Sequence, residues 1–485
     1  MVSYPDDNSS SSRSLSSRPA RSSSIASSSR TSMSTVRRHH RHARSHAGGG
    51  GGGSSHLQNE FPLFFQTGDV EIVLASGKRE QKYVLHRLYL SQASGFFEAG
   101  MSEEWSRSGL SGQQDASSNA STGSRRSNDG KRWRYELDWG KGAEDIPMLV
   151  QKPASDSIFG GNTPKPPPLR PKPPAASNGF FRSMANMTAI NLPAQTADEP
   201  ADETFKTYDN LFRIFYNYPP IMDSVNIANA YIECKTLLQL ADMYDAIDIV
   251  GPRIDHHLLR FQGRLWKQIA KYPPSYLKLG YLARSKVIFQ ESLIHVVGQW
   301  PAGTGQLRGH VPQSVIDLIE DKVDELEETK SRVESKLWRL TLTTSRGERV
   351  TPHNSWLDWQ MMSLWRQWFA ENTTQNATPT SILKAPGPPP PLNTGRVFRK
   401  IGSAGSSYLG HDDVKKFLKI SSELYSRDNV RRGERRLEEL KNLARDAVKL
   451  LMRSYLELDL REGGLPYLLC TRMEERDWQL VFGDD

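Results

Sequence analysis

Few residues in this 485-residue sequence pair a reactive type with a spacing that chemistry could use. Its two cysteines, Cys234 and Cys470, can neither build a disulfide framework nor fill a tetrahedral zinc site by themselves. Cys234 falls on an apolar helical stripe and reads as a small buried hydrophobe rather than a nucleophile, and Cys470 in "YLLCT" has the same status. Asp255-His256-His257 offers three potential metal ligands in a row. Neighbours on a helix point about 100° apart, however, so the run reads as solvated rather than as a metal site. His39, His40, His42 and His46 in "RRHHRHARSHA" form a basic stretch that would hold metal only weakly, with nuclear import as another use. "GTGQLRG" (303–309) has the wrong spacing for a dinucleotide loop, and no Walker-type loop, HExxH, GxSxG or CxxC occurs. No metal set and no cofactor are expected, and the chain does not read as an enzyme. His86, in "YVLHRLYL", closes an apolar strand-like run and opens a helical one. With no nucleophile or metal partner, it is expected to join strand to helix, its imidazole satisfying loose backbone groups at the helix start.

Binding is better represented than catalysis. "KPPPLRP" places Lys165, Pro168 and Pro171 in a basic-x-x-Pro-x-x-Pro pattern. Such prolines pre-set a left-handed helix that SH3-type aromatic grooves accept at low entropic cost. The net charge of +8 is mostly local: residues 1–55 hold eight arginines against Asp6 and Asp7, which accounts for +6. A tail of this kind attracts polyanions at long range and in a salt-dependent way, so no specific nucleic-acid contact is expected. Serines beside arginines in residues 10–45 suit basic-directed kinases.

The elements that would carry these residues are interrupted. Hydrophobic content of 37% and a mean hydropathy of −0.59 imply long stretches unable to bury enough apolar surface to order themselves. The Ser/Arg-rich start has no apolar h-region and no apolar run approaches the ~20 residues of a membrane span, so a cytoplasmic or nuclear protein without membrane contact is expected. "DVEIVLAS" puts Val70, Ile72 and Leu74 on one strand face, with a turn at Gly77. A second strand runs into a helix that breaks at Ser94-Gly95. "RWRYELDW" places Trp133, Tyr135, Leu137 and Trp139 on one side. A helix ending at Pro219-Pro220 follows, and Asp223 or Ser224 would cap the next, whose stripe is Ile227, Tyr231, Cys234, Leu238 and Ala241. Further helices are expected at 252–262, 284–298 and 314–340. Trp356, Trp359, Trp365 and Trp368 mark an aromatic helix that reads as core. A long amphipathic helix over 435–460 and a short strand at "YLLC" complete the chain.

In their order, the segments from "GDVEIVL" through "KYVLHRLYLSQASGFFEAGMSEEW", "RWRYELDW" and "FKTYDNLFRIFYNYPP" to "ADMY" resemble the BTB/POZ domain, in the insert-rich form of filamentous fungi. The resemblance implies an α+β fold. A split BTB/POZ domain, a short sheet flanked by helices, would precede a mostly helical C-terminal region, with a long disordered N-terminal tail and inserts. The implied division is a tail over 1–60, domain parts at 61–105, 133–139 and 204–262, and disordered inserts at 106–132 and 140–203. A helical extension over 263–345, a Trp-rich helix over 346–372, a linker over 373–410 and a helical segment over 411–485 follow.

The resemblance also assigns residues. Asp69 and Arg87 match the family's buried acidic and basic positions near a dimer pocket, and His86 its strand-to-helix histidine. Met101 and Glu103 fall where adaptor members carry a hydrophobic-x-Glu motif that docks a cullin. No zinc fingers or kelch repeats follow. The expectation is therefore a non-enzymatic protein-interaction module. It would associate with itself or with other proteins, including a cullin-type ubiquitin ligase scaffold; the alternative is a nuclear co-regulator recruiting corepressors through the same domain.

Overall fold

β-Strands form both where the sequence alternates and where it gives no such signal. The structure is a computed structural model that describes residues 59–102, 133–140, 147–152, 199–374, 394–460 and 464–483. Its strands are β1 (Asn59–Glu60), β2 (Leu63–Phe64), β3 (Val70–Ser76), β4 (Arg79–Leu85), β5 (Trp133–Asp138) and β6 (Met148–Lys152), in the spatial order β1-β2-β4-β3-β5-β6. β3 and β4 make an antiparallel hairpin in register from Val70–Leu85 to Ser76–Arg79. Gly77, at φ 58°, takes the first position of its two-residue turn, where a side chain would be strained. β5 lies parallel to β3 and pairs antiparallel with β6. Val70, Ile72 and Leu74 are all buried, as the alternation requires.

Several elements depart from the sequence expectation. β6 lies inside the stretch assigned to a Pro-rich disordered insert (140–203). Its apolar residues Met148, Leu149 and Val150 are consecutive rather than alternating, so no period-2 signal marks it. β1 lies within the stretch assigned to the tail, and "YLLC" is not a strand, although Tyr467, Leu468 and Leu469 are buried.

Fifteen α-helices occur among the described residues. α1 (Arg87–Ala93) and α2 (Gly95–Gly100) follow β4. After β6 come α3 (Glu199–Phe215), α4 (Ile227–Met243), α5 (Ile247–Leu259), α6 (Gly263–Lys271), α7 (Pro273–Leu282), α8 (Lys286–Gln299) and α9 (Thr304–Leu307). Then come α10 (Gln313–Trp338), α11 (Trp356–Thr373), α12 (Thr394–Ser403), α13 (His411–Lys419), α14 (Arg427–Val448) and α15 (Glu475–Phe482). α4 is capped by Asn226, whose side chain accepts from Ala228 N, while Asp223 gathers the Val225 and Asn226 amides one turn earlier. α12 occupies the stretch read as linker, because its Val397, Phe398 and Ile401 recur at helical spacing and are buried. α14 stops at Val448, short of the helix expected to reach residue 460.

The apolar faces meet in separate clusters. The sheet packs with α1 to α7 around Tyr83, Phe97, Tyr135, Phe212 and Tyr244. α11 to α14 close on the C-terminal half of α10 around Trp365, Phe369 and Phe398, so the aromatic helix does serve a core, with Trp356 alone of its four indoles left exposed. α8, α15 and the first half of α10 bury Phe289, Val315 and Ile319.

Candidate functional site

The start of α1 brings together three of the residues singled out from sequence. Gly68 comes so close to Phe64 that an added Cβ would lie 2.8 Å from the Phe64 carbonyl oxygen, and this fixes the path into Asp69. Asp69 Oδ1 accepts the Arg87 backbone N–H at 2.6 Å, which satisfies one of the loose donors of α1. The Arg87 guanidinium in turn reaches the Met101 carbonyl at 3.5 Å. Asp69 is exposed and Arg87 half-buried, so neither is the buried charge that the sequence resemblance implied. Asp69 serves as a helix cap. Met101 is turned the other way: its side chain is buried among the core residues and offers a partner almost nothing. Glu103, Lys165, Pro168 and Pro171 lie outside the described residues.

His86 is a join, but by a different route from the one its position suggested. It precedes α1 and makes no side-chain cap bond. Its Nδ1 lies 2.9 Å from the Tyr216 hydroxyl and its Nε2 2.8 Å from Thr67 Oγ1, while its own N–H donates to the Tyr216 hydroxyl at 2.7 Å. Burial keeps the Tyr216 hydroxyl well above its ordinary titration range, so it remains a protonated partner. Both imidazole nitrogens thus have hydroxyl partners, which tie the start of α1 to Tyr216 and to Thr67.

Around this join lies an aromatic shelf that sequence reading did not assemble. Tyr216 stacks on Phe64 (ring centroids 5.2 Å apart) and on Tyr89 (4.9 Å), and Phe61 lies 5.5 Å from Tyr218. Leu88 and Tyr89 are 64% and 48% exposed. The density of aromatics in "FYNYPP" was the available signal. What the sequence could not supply is that α3 ends against β2 and α1. The shelf has an apolar centre at Leu88 and Tyr89 and a cationic rim at Arg87.

Other sequence candidates disperse. Asp255 accepts from Ser285 Oγ, whereas buried His257 meets the Asp223 carbonyl at 2.9 Å, so the Asp-His-His run serves different neighbours and is not simply solvated. Cys234 is fully buried, and burial pushes its thiol well up. Among the described residues no group of three or more His, Cys, Asp or Glu is placed to hold a metal ion. No helix among them is long and apolar enough to cross a membrane. No family model, curated protein or solved structure matches the chain.

Proposed function

We propose that this chain is a protein-interaction protein built on a BTB/POZ-type module, and that the α1 shelf is the face it presents. Support comes from the order of elements: a hairpin opened by Asp69-Val70, the helix pair α1–α2, a third strand parallel to the first, and paired helices closed by Tyr244. The observation that carries the reading is the exposure of Leu88 and Tyr89 on a short helix whose opposite side, at Leu90 and Ala93, is firmly buried. Apolar side chains held out from a fixed base lose little entropy on docking. The partner is a second copy of the chain or another protein. A cullin scaffold is one such partner, and with Met101 turned inward its contact would rest on the Arg87–Tyr89 surface.

Light scattering tests self-association directly. At about 50 µM, a concentration suited to a modest interface, the wild type is expected to run above monomer mass. Leu88→Glu with Tyr89→Glu should return it to monomer at a stability cost of about 0.5–1.5 kcal/mol, the worth of the lost Tyr89–Tyr216 stack. A wild type that is monomeric throughout would remove the self-association reading. Titration calorimetry against a cullin N-terminal region tests the adaptor reading separately, and absence of heat there would remove it.

A further inference from the structure

Away from the shelf, α8 carries two titratable side chains one turn apart in an otherwise apolar environment. Glu291 and His295 are 2% and 0% exposed. Glu291 fastens an irregular surface segment: its Oε2 accepts the Glu457 N–H at 2.8 Å and its Oε1 the Leu458 N–H at 3.1 Å. Beside it, Gln290 Nε2 reaches the Tyr455 carbonyl at 3.5 Å. His295 Nδ1 meets the Tyr467 hydroxyl at 2.8 Å. Its Nε2 is a buried polar atom with no hydrogen-bond partner, 4.0 Å from Glu291 Oε1. At 4.0 Å the two atoms are not hydrogen-bonded, but each is the nearest group with which the other could share a proton inside this buried pocket.

We propose that Glu291 and His295 act as one proton-sharing clasp, in which a protonated Glu291 points its hydroxyl at the Nε2 of a neutral His295 and this uncharged pair holds residues 454–460 against α8. The surroundings favour the uncharged pair. Burial, first, and the like charge of Glu457 on the segment itself favour the protonated carboxyl and outweigh the Glu457 and Leu458 N–H bonds, which favour the carboxylate; no cation adds to them. Arg399 of α12 sits beyond Tyr467, donating to the Tyr467 carbonyl at 3.2 Å, and Lys278 of α7 donates to the Gln306 carbonyl. Burial raises the Glu291 carboxyl to about 7 and lowers the His295 imidazole to about 4.

The proton count makes the pair an insulator against pH. When 454–460 and 464–470 lift, Glu291 and His295 meet water and titrate near their ordinary values of 4.5 and 6.5. Between those values the lifted state holds one proton, on His295, and the closed state also holds one, on Glu291. Closing moves a proton from imidazolium to carboxylate and exchanges none with solvent, so attachment does not depend on pH there. A raised acid alone would lose attachment as pH rises from 4.5 to 7. A lowered histidine alone would gain it from 4 to 6.5.

Amide hydrogen exchange at Glu457 and Leu458 in the full chain, corrected for the intrinsic rate, measures the opening constant. From pH 5.5 to 8.5 the wild-type constant is expected to change by about threefold, as the two shifts nearly cancel. His295→Gln uncovers the acid, so opening should rise by about 30-fold over that range. Glu291→Gln uncovers the histidine, and opening should fall by about 10-fold. A wild-type change above about 10-fold, or slopes of the same sign in the two variants, overturns the clasp. Should either variant fail to fold, the wild-type profile and the His295 ring shifts still decide. An imidazole that takes up its proton near its ordinary value would sink the proposal.

Discussion

Tyr244→Ala is expected to lower stability by about 3–5 kcal/mol, the range for emptying a buried aromatic site. Tyr244 stands at the end of α4 and is held from every side. Its ring stacks against Phe97 at 5.7 Å and meets Phe96 edge-on at 4.8 Å. Its hydroxyl lies 2.9 Å from that of Tyr208 and accepts the Leu149 N–H of β6 at 2.9 Å. Its carbonyl accepts from Ser94 Oγ, the cap of α2, at 2.5 Å. One residue therefore ties the sheet edge, the α1–α2 pair and the α3–α4 pair together.

Tyr244→Phe separates the two contributions. It keeps the ring and removes the hydroxyl, leaving the Leu149 N–H without its buried partner while the Tyr208 hydroxyl keeps the Pro147 carbonyl at 3.3 Å, at about 1–3 kcal/mol. Urea denaturation of both variants is the measurement. If Tyr244→Phe were neutral, the hydroxyl would not be what secures β6. If Tyr244→Ala cost under about 1 kcal/mol, the ring would not be a core element at all.

How much of this was readable depended on whether a residue's role is local. The hairpin was legible because Val70, Ile72 and Leu74 alternate and Gly77 marks the turn. α4 was legible because Cys234, Leu238 and Ala241 repeat at helical spacing. β6 was not: a five-residue strand owes its place to pairing with β5 and to a tyrosine hydroxyl 95 positions away. Met101 shows the same limit from the other side. Its position in the chain suggested a partner contact, but the turn after α2 rotates it into the core cluster, and rotation is set by tertiary packing rather than by a three-residue pattern. Glu291 and His295 did leave a trace. Two titratable residues four apart in "KVIFQESLIHVVGQ" share one face of a mostly buried helix. Their partners are backbone amides and a tyrosine over 160 positions on, which no local pattern records.

Asp477→Ala is expected to cost about 3–5 kcal/mol, because it removes the partner of a buried charge and leaves that charge stranded. Lys322 stands on the inward side of α10 at 2% exposure, with Nζ 3.0 Å from Asp477 Oδ2 and 3.1 Å from Glu325. Asp477 is nearly as deep, and the same Oδ2 accepts the Glu474 N–H at 2.7 Å, closing the first turn of α15. Burial works against the Lys322 ammonium, but its hydrogen bonds to Asp477 and Glu325 outweigh that and hold its titration above the usual lysine range. With Asp477 gone, only Glu325, itself half-exposed, faces the ammonium, and α15 loses a cap as well.

The sign of the coupling distinguishes a stranded charge from lost packing. Lys322→Met in the Asp477→Ala background removes the unpaired ammonium, so the double variant should recover most of the loss and sit within about 1–2 kcal/mol of wild type. Losses that simply added would mean that Lys322 reaches water when Asp477 is removed. Asp477→Asn should fall between, keeping the cap acceptor while giving up the charge. Chemical denaturation of the wild type, Lys322→Met, Asp477→Ala and the double variant gives the cycle. Because α15 packs Trp478 and Phe482 on Phe289 of α8, the same loss should appear as faster exchange of the α15 amides before the sheet module opens.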